Sequence, residues 1–234
     1  MWHQFDNAKT CAQALATDIG FLLEKSIIEK DQAVLAVSGG RSPIPVFQEL
    51  SKRDLDWSKV HIILVDERYV PVDHDDSNEK LVRQYLLQGP AARARFTGLA
   101  HQTSSLDGDV DKANTQLPDA DIVLLGMGDD GHMASLFAHA PEFAQAIKTT
   151  SNGTAAPRYA RISPPRAPHD RISMTLAALQ RAGCLFLEIA GTTRRDVYER
   201  AAMQNSPDYP ISYVLDKNWP GARVQTYWHP GTTP

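Results

Sequence analysis

Cysteine is scarce. Only two occur in 234 residues, Cys11 and Cys184, far apart and each in apolar sequence. That excludes a disulfide scaffold and predicts free thiols in a reducing compartment. Long apolar runs are absent too: nothing approaches the roughly 20 residues of a membrane span. Asp6, Lys9, Asp18, Glu24 and Lys25 occupy the region where a secretory leader would be apolar. Nor is there an excess of positive charge. With 24 basic and 28 acidic residues the net charge is −4, which argues against nucleic acid or an anionic membrane as partner. No tract is of low complexity and no segment repeats. These absences predict a cytoplasmic protein, a monomer or small homo-oligomer, in which any anionic ligand must be held by a local basic cluster.

What is present is alternation. Ala12, Leu15, Ile19, Leu22, Leu23 and Ile27 recur at helical spacing, predicting a helix over 8–29. AVLAV (33–37), HIILV (61–65), DIVLLG (121–126) and CLFLEIA (184–190) are short, predominantly apolar strands. Helices are expected from Pro43, from a Ser77-Asn78 cap to Leu87, weakly near 107–116, and over 192–203. RISMT (171–175) resumes regular structure, VQTYW (224–228) reads as a last strand, and 149–170, rich in Pro, Ser, Thr and Arg, as an extended loop. Apolar strands separated by helices form a mainly parallel sheet covered on both faces. The expectation is one α/β domain over residues 1–234, Rossmann-like in topology.

In such sheets ligands collect at the carboxyl ends of the strands. Three of these ends carry polar or glycine-rich sequence: Ser38–Ser42, Asp66–Arg68 and Gly126–His132. Gly126-x-Gly128-x-x-Gly131 has the spacing of a dinucleotide turn. However, Asp129 and Asp130 would repel a pyrophosphate there, and no suitable acid follows about 20 residues later. The glycines have another use. They turn the chain sharply so that Asp130 can orient His132, which then passes protons. The bland alternative is that Asp130 caps a following helix with His132 packed in its first turn.

Ser38-Gly39-Gly40-Arg41-Ser42 offers amides and hydroxyls to an anion. It lacks the ending of a nucleotide P-loop, so a single sugar phosphate fits better than a triphosphate. Arg166, Arg171 and Arg194 are candidate counter-charges. Arg194 sits in a first helical turn, where the dipole disfavours a cation unless an anion compensates. His61, His74, His101, His132 and His139 show no ligand spacing, so no metal is expected.

The segments VSGGRSP (37–43), VDERYVPVDHDDSN (65–78), LLGMGDDGHMASLF (124–137) and RAPHDRIS (166–173) together resemble the 6-phosphogluconolactonase family, related to the glucosamine-6-phosphate isomerase/deaminase group. The resemblance spans about residues 8 to 215 and fades after 220. It implies hydrolysis of 6-phospho-D-glucono-1,5-lactone in the oxidative pentose phosphate pathway, with no cofactor and a sugar phosphate lactone as the small-molecule partner. By motif position it makes His132 the general base, Asp130 its neighbouring acid and Arg68 a substrate-side cation. The phosphate would lie on Ser38, Gly39, Gly40 and Ser42. Ala138 stands where proline is usual, as does Asp129 in many members, and Arg166 and Arg194 stand where lysines are expected. The deaminase branch places a glutamate five residues after the histidine and a tyrosine after the Asp-Glu pair. Here Phe137 and Arg68 occupy those positions, and a phenyl ring cannot move protons. A non-catalytic sugar-phosphate sensor would need the cradle but not the Asp130–His132 pair. A nucleophilic serine is not expected, for no GxSxG elbow is present.

Overall fold

The computed structural model describes residues 1–101, 105–151 and 153–231. Its strands are β1 (Trp2–Gln4), β2 (Ala33–Val37), β3 (Val60–Leu64), β4 (Asp66–Arg68), β5 (Arg95–Thr97), β6 (Ile122–Gly126), β7 (Thr150–Ser151), β8 (Thr154–Ala155), β9 (Tyr159–Ile162), β10 (Arg171–Met174), β11 (Cys184–Ala190) and β12 (Val224–His229). The helices are α1 (Ala8–Lys30), α2 (Ile44–Leu50), α3 (Asn78–Tyr85), α4 (Leu106–Gln116), α5 (Phe143–Ala146), α6 (Leu176–Arg181), α7 (Thr192–Met203) and α8 (Ser212–Leu215).

The long helix follows from its periodicity. In α1 Cys11, Leu15, Ile19 and Leu23 are buried on one stripe. Asn7 accepts from the Thr10 amide at 3.0 Å, and Asp31, in the left-handed region, ends the helix. Seven strands pair in the order β1-β12-β11-β6-β2-β3-β5, every pair parallel. Successive residues of a strand face opposite sides, and all of β2 is buried. Both faces of the sheet are therefore covered, as apolar-throughout strands require. Cys11 is buried as expected, whereas Cys184 is only half-buried; both are free thiols.

From β2 the chain winds outward through β3 to β5, then returns to β6 on the other side of β2 and continues to β11 and β12. The order reverses between β2 and β6, where a crevice opens beyond the strand ends. The loops after these two strands are the Ser38–Ser42 turn and the Gly126–His132 turn.

Three expectations need correction. Asp66-Glu67-Arg68 is not merely the end of β3. After Val65 it becomes β4, the edge of a second, antiparallel sheet ordered β4-β10-β9. The 149–170 segment is not loop throughout: it contains β7, β8 and β9, the last paired with β10. Finally, no helix begins at His132. Residues 127–142 run as turns closed by a bridge between Met133 and Leu136, which removes the alternative of Asp130 as a helix cap.

Candidate active site

The crevice holds a cavity of ≈ 240 Å³ lined by the Ser38–Ser42 turn, Arg68, His132, Arg171 and Arg194, among others. Each arrives by a traceable route. Arg68 and Arg171 are direct cross-strand partners of β4 and β10, so two distant segments deliver two guanidinium groups to one place. Like charges set opposite each other repel. The protein offsets this by holding them from behind. Arg68 donates through Nη1 to the Asp76 carbonyl at 2.7 Å and to Asn78 Oδ1 at 3.0 Å. Arg171 donates to the carbonyls of His169 and Pro168 at 3.3 and 3.0 Å. Burial pulls the Arg171 pKa down, and nearby Arg68 adds to the pull.

The cradle after β2 is short of internal partners. The Ser38 amide bonds to Leu124 O at 3.0 Å, but among the described residues the amides of Gly39, Gly40, Arg41 and Ser42 meet no acceptor. Ser38 Oγ is buried without a hydrogen bond, as is Arg68 Nε. Such orphaned groups are rare in folded proteins and cluster where ligands bind. Helix α2, beginning just after the cradle, has only seven residues; amides and hydroxyls, more than a long dipole, make the turn attractive to an anion. Gly39 is fixed by a neighbour: a Cβ there would stand 1.8 Å from Asn78 Oδ1.

Across the cavity, Asp130 Oδ1 lies 2.6 Å from His132 Nδ1 and accepts from the His132 amide at 3.2 Å. The hydrogen bond from His132 holds the Asp130 carboxyl down at about 2, so the carboxylate is the acceptor and Nδ1 carries the proton. In the neutral ring Nε2 is then the free base. The Phe137 ring packs against the imidazole with centroids 4.2 Å apart. Gly128 makes room for the pair, since a Cβ at that position would lie 2.2 Å from His132 Cε1 and 2.7 Å from Asp130 Oδ1.

Arg194 is in the first turn of α7, as expected, and its Nε stands 3.0 Å from Asp129 Oδ1. The contact is an ion pair without hydrogen-bond alignment. Arg166 is not brought to this cavity. It is exposed on the loop before β10 and lines a neighbouring hollow on the far side of Asp130 and Phe137. Asp66 and Glu67 brace. Asp66 Oδ2 accepts from Ser135 Oγ at 2.6 Å. Glu67, buried, accepts from the amides of Arg68, Asn78 and Glu79 and from Ser77 Oγ. Burial pushes its pKa up to about 7 against the pull of those amides.

Asn78, Arg41 and Phe137 also line the cavity; the sequence assigns Asn78 only a part in capping a helix. It stood in the DSN run already quoted, but its amide reaches the site only because β4 and α3 pack together. One cluster was missed altogether: His74 and Asp76 converge with His169, which lies 93 residues beyond Asp76 in the chain.

A crevice at the sheet's switch point brings together, in an α/β protein, an amide cradle, flanking arginines and a carboxylate-oriented imidazole, groups whose chemistry suits a small anion and proton transfer. Its kinship agrees. The sequence profile of the family described as glucosamine-6-phosphate isomerases/6-phosphogluconolactonase matches residues 6–228, and the chain belongs to that family. The match reaches into β12, so the similarity does not end near residue 215. The chain is 44% identical over 232 residues to a 6-phosphogluconolactonase of Pseudomonas putida, covering 97% of this chain and 92% of that one. It is 43% identical over 221 residues to a 6-phosphogluconolactonase of Neisseria meningitidis, covering 92% and 94%. A crystal structure from Neisseria gonorrhoeae superposes with a TM-score of 0.92 at 41% identity, covering 98% of this chain and 99% of that one.

Proposed function

We propose that the chain hydrolyses 6-phospho-D-glucono-1,5-lactone to 6-phospho-D-gluconate, the lactonase step of the oxidative pentose phosphate pathway, with His132 as general base. The names of the close relatives support the reaction. Phe137 and Arg68, at positions where the deaminase branch carries proton-handling residues, support it over the sister chemistry. The reading takes the chain as one unit, its buried core running from Cys11 to Trp228.

The observation that carries the mechanism is that the Ser38–Ser42 cradle and His132 open on the same cavity. The phosphate rests on the free amides of the cradle with Ser38 and Ser42, and Arg171 and Arg194 balance its charge. Arg166 is left out of this set. The lactone carbonyl then faces His132. Nε2 takes a proton from water as the oxygen attacks C1, and Asp130 steadies the imidazolium. Arg68 faces the oxyanion. Collapse breaks the bond from C1 to the ring oxygen, which receives the proton from Nε2. The acid product ionises to solvent, and no residue is covalently modified.

The test is an assay of purified protein on freshly made lactone, with spontaneous hydrolysis subtracted and glucosamine 6-phosphate as control substrate. Acceleration of lactone opening without ammonia release is expected. Turnover of the amino sugar alone would reverse the reading.

A further inference from the structure

We propose that His74, Asp76 and His169 form a binding site for a divalent transition-metal ion of the zinc, cobalt or nickel type. The three residues come from two loops, one leading from β4 to α3 and the other leading into β10. Asp76 Oδ2 is 3.1 Å from His169 Nε2 and 3.9 Å from His74 Nδ1, and the three donor atoms all lie within 4.8 Å of one another. Ligands about 2.0–2.1 Å from a tetrahedral ion stand about 3.3–3.4 Å apart. The cluster therefore needs only small side-chain adjustments to close around one.

The donor set selects the ion. Two imidazoles and one carboxylate suit borderline metals and not magnesium or calcium, which take oxygen. The Asp76 amide donates to His74 Nδ1 at 3.0 Å, marking that nitrogen as unprotonated, the form a metal takes. On binding, the ion replaces this contact and the His169–Asp76 hydrogen bond, and the His169 proton moves to Nδ1. His169 adopts the left-handed region at φ 69°, which few non-glycine residues enter although histidine does so more readily than most, and in that conformation its ring meets Asp76. All three side chains are solvent-accessible, at 42%, 51% and 28% exposure, so an ion can enter. None of the three lines the His132 cavity. The same loops supply the carbonyls of Asp76 and His169 that hold Arg68 and Arg171, so a bound ion would tie together the supports of both arginines.

The experiment uses the full chain without a histidine tag, stripped by chelator and titrated with Co²⁺ by visible absorption and with Zn²⁺ by calorimetry. One ion per chain is expected, with cobalt bands of a nitrogen and oxygen site and a raised thermal midpoint. His169→Ala and Asp76→Asn should each weaken binding by more than about tenfold and abolish the rise in midpoint. His132→Ala should change neither. His169→Gln, which keeps bulk, covers the case in which the alanine variant is destabilised. Absence of binding at sub-millimolar metal, an unchanged titration in both His169 variants, or binding lost only with His132 would overturn the proposal. Because the readout is metal binding, its failure is distinct from failure of the hydrolysis reading.

Discussion

Gly128 shows how closely single residues constrain this site. The imidazole and carboxylate occupy the space where a Cβ would project, so Gly128→Ala should displace His132 while leaving the melting curve close to wild type. Its kcat should fall toward that of His132→Ala, which is expected to lose about 10²- to 10⁴-fold, the span for an acid–base group. Steady-state rates on the lactone, corrected for spontaneous opening, measure both; a His132→Ala variant with near-wild-type kcat would remove the base from the mechanism. The Asp129–Arg194 pair makes a second prediction in opposite directions. Arg194→Ala should raise KM several-fold with little effect on kcat, since the phosphate is bound throughout. Asp129→Asn, freeing the guanidinium for substrate, should lower KM. If both variants shift KM the same way, Arg194 is not a phosphate ligand. Asp130 also carries a stability term. Its folded pKa, about 2, lies below the ordinary value of 3.8. The contribution is therefore complete above 3.8 and lost as pH falls through about 2.

At the scale of elements, pairing between β4 and β10 decides which arginines share a cavity, and Glu67 decides where α3 begins. Its two carboxylate oxygens take four donors. A glutamine can present only one oxygen to them and would turn its NH₂ on the other two. Glu67→Gln should therefore destabilise the protein by about 1–3 kcal/mol, the cost of leaving buried donors unpaired, as read from urea unfolding. It should also raise KM, because Asn78 and Arg68 hang on the same bonds; unchanged stability would mean the carboxyl is already protonated and tolerates an amide. The apolar strands β2, β3, β6 and β11 and the helix α1 were legible because burial on both faces, or on one stripe, imposes a pattern on composition. The second sheet was not. Asp66-Glu67-Arg68 is short and wholly charged and its partner β10 lies far off in sequence, while Tyr159–Ile162 is only four residues of mixed polarity beside β10, so no local period betrays either.

At the scale of the molecule, one buried acid should set a pH trend. Glu188, on the interior strand β11, has Oε2 buried without a hydrogen bond, and His229 Nε2 stands 4.0 Å from its Oε1. Burial raises its pKa from 4.5 to about 8, with Arg194 pulling the other way. The folded state therefore binds more protons than the unfolded one between these values, and stability falls as pH rises across them. Thermal midpoints measured from pH 5 to pH 8.5 should decline less steeply in Glu188→Gln than in wild type, whereas parallel declines would show Glu188 to be ionised throughout. The sequence alone determined the α/β alternation, the anion-friendly turn after the first apolar strand and the glycine-rich turn presenting Asp130 and His132. These are local properties: burial imposes a pattern on neighbours, and a turn must use residues that permit it. Only the tertiary structure decided that both turns flank the reversal between β2 and β6, that Arg171 joins Arg68 while Arg166 lines a separate hollow, and that His74 and Asp76 meet His169. Those are meetings of segments far apart along the chain, fixed by strand order and register, which no single stretch of residues records.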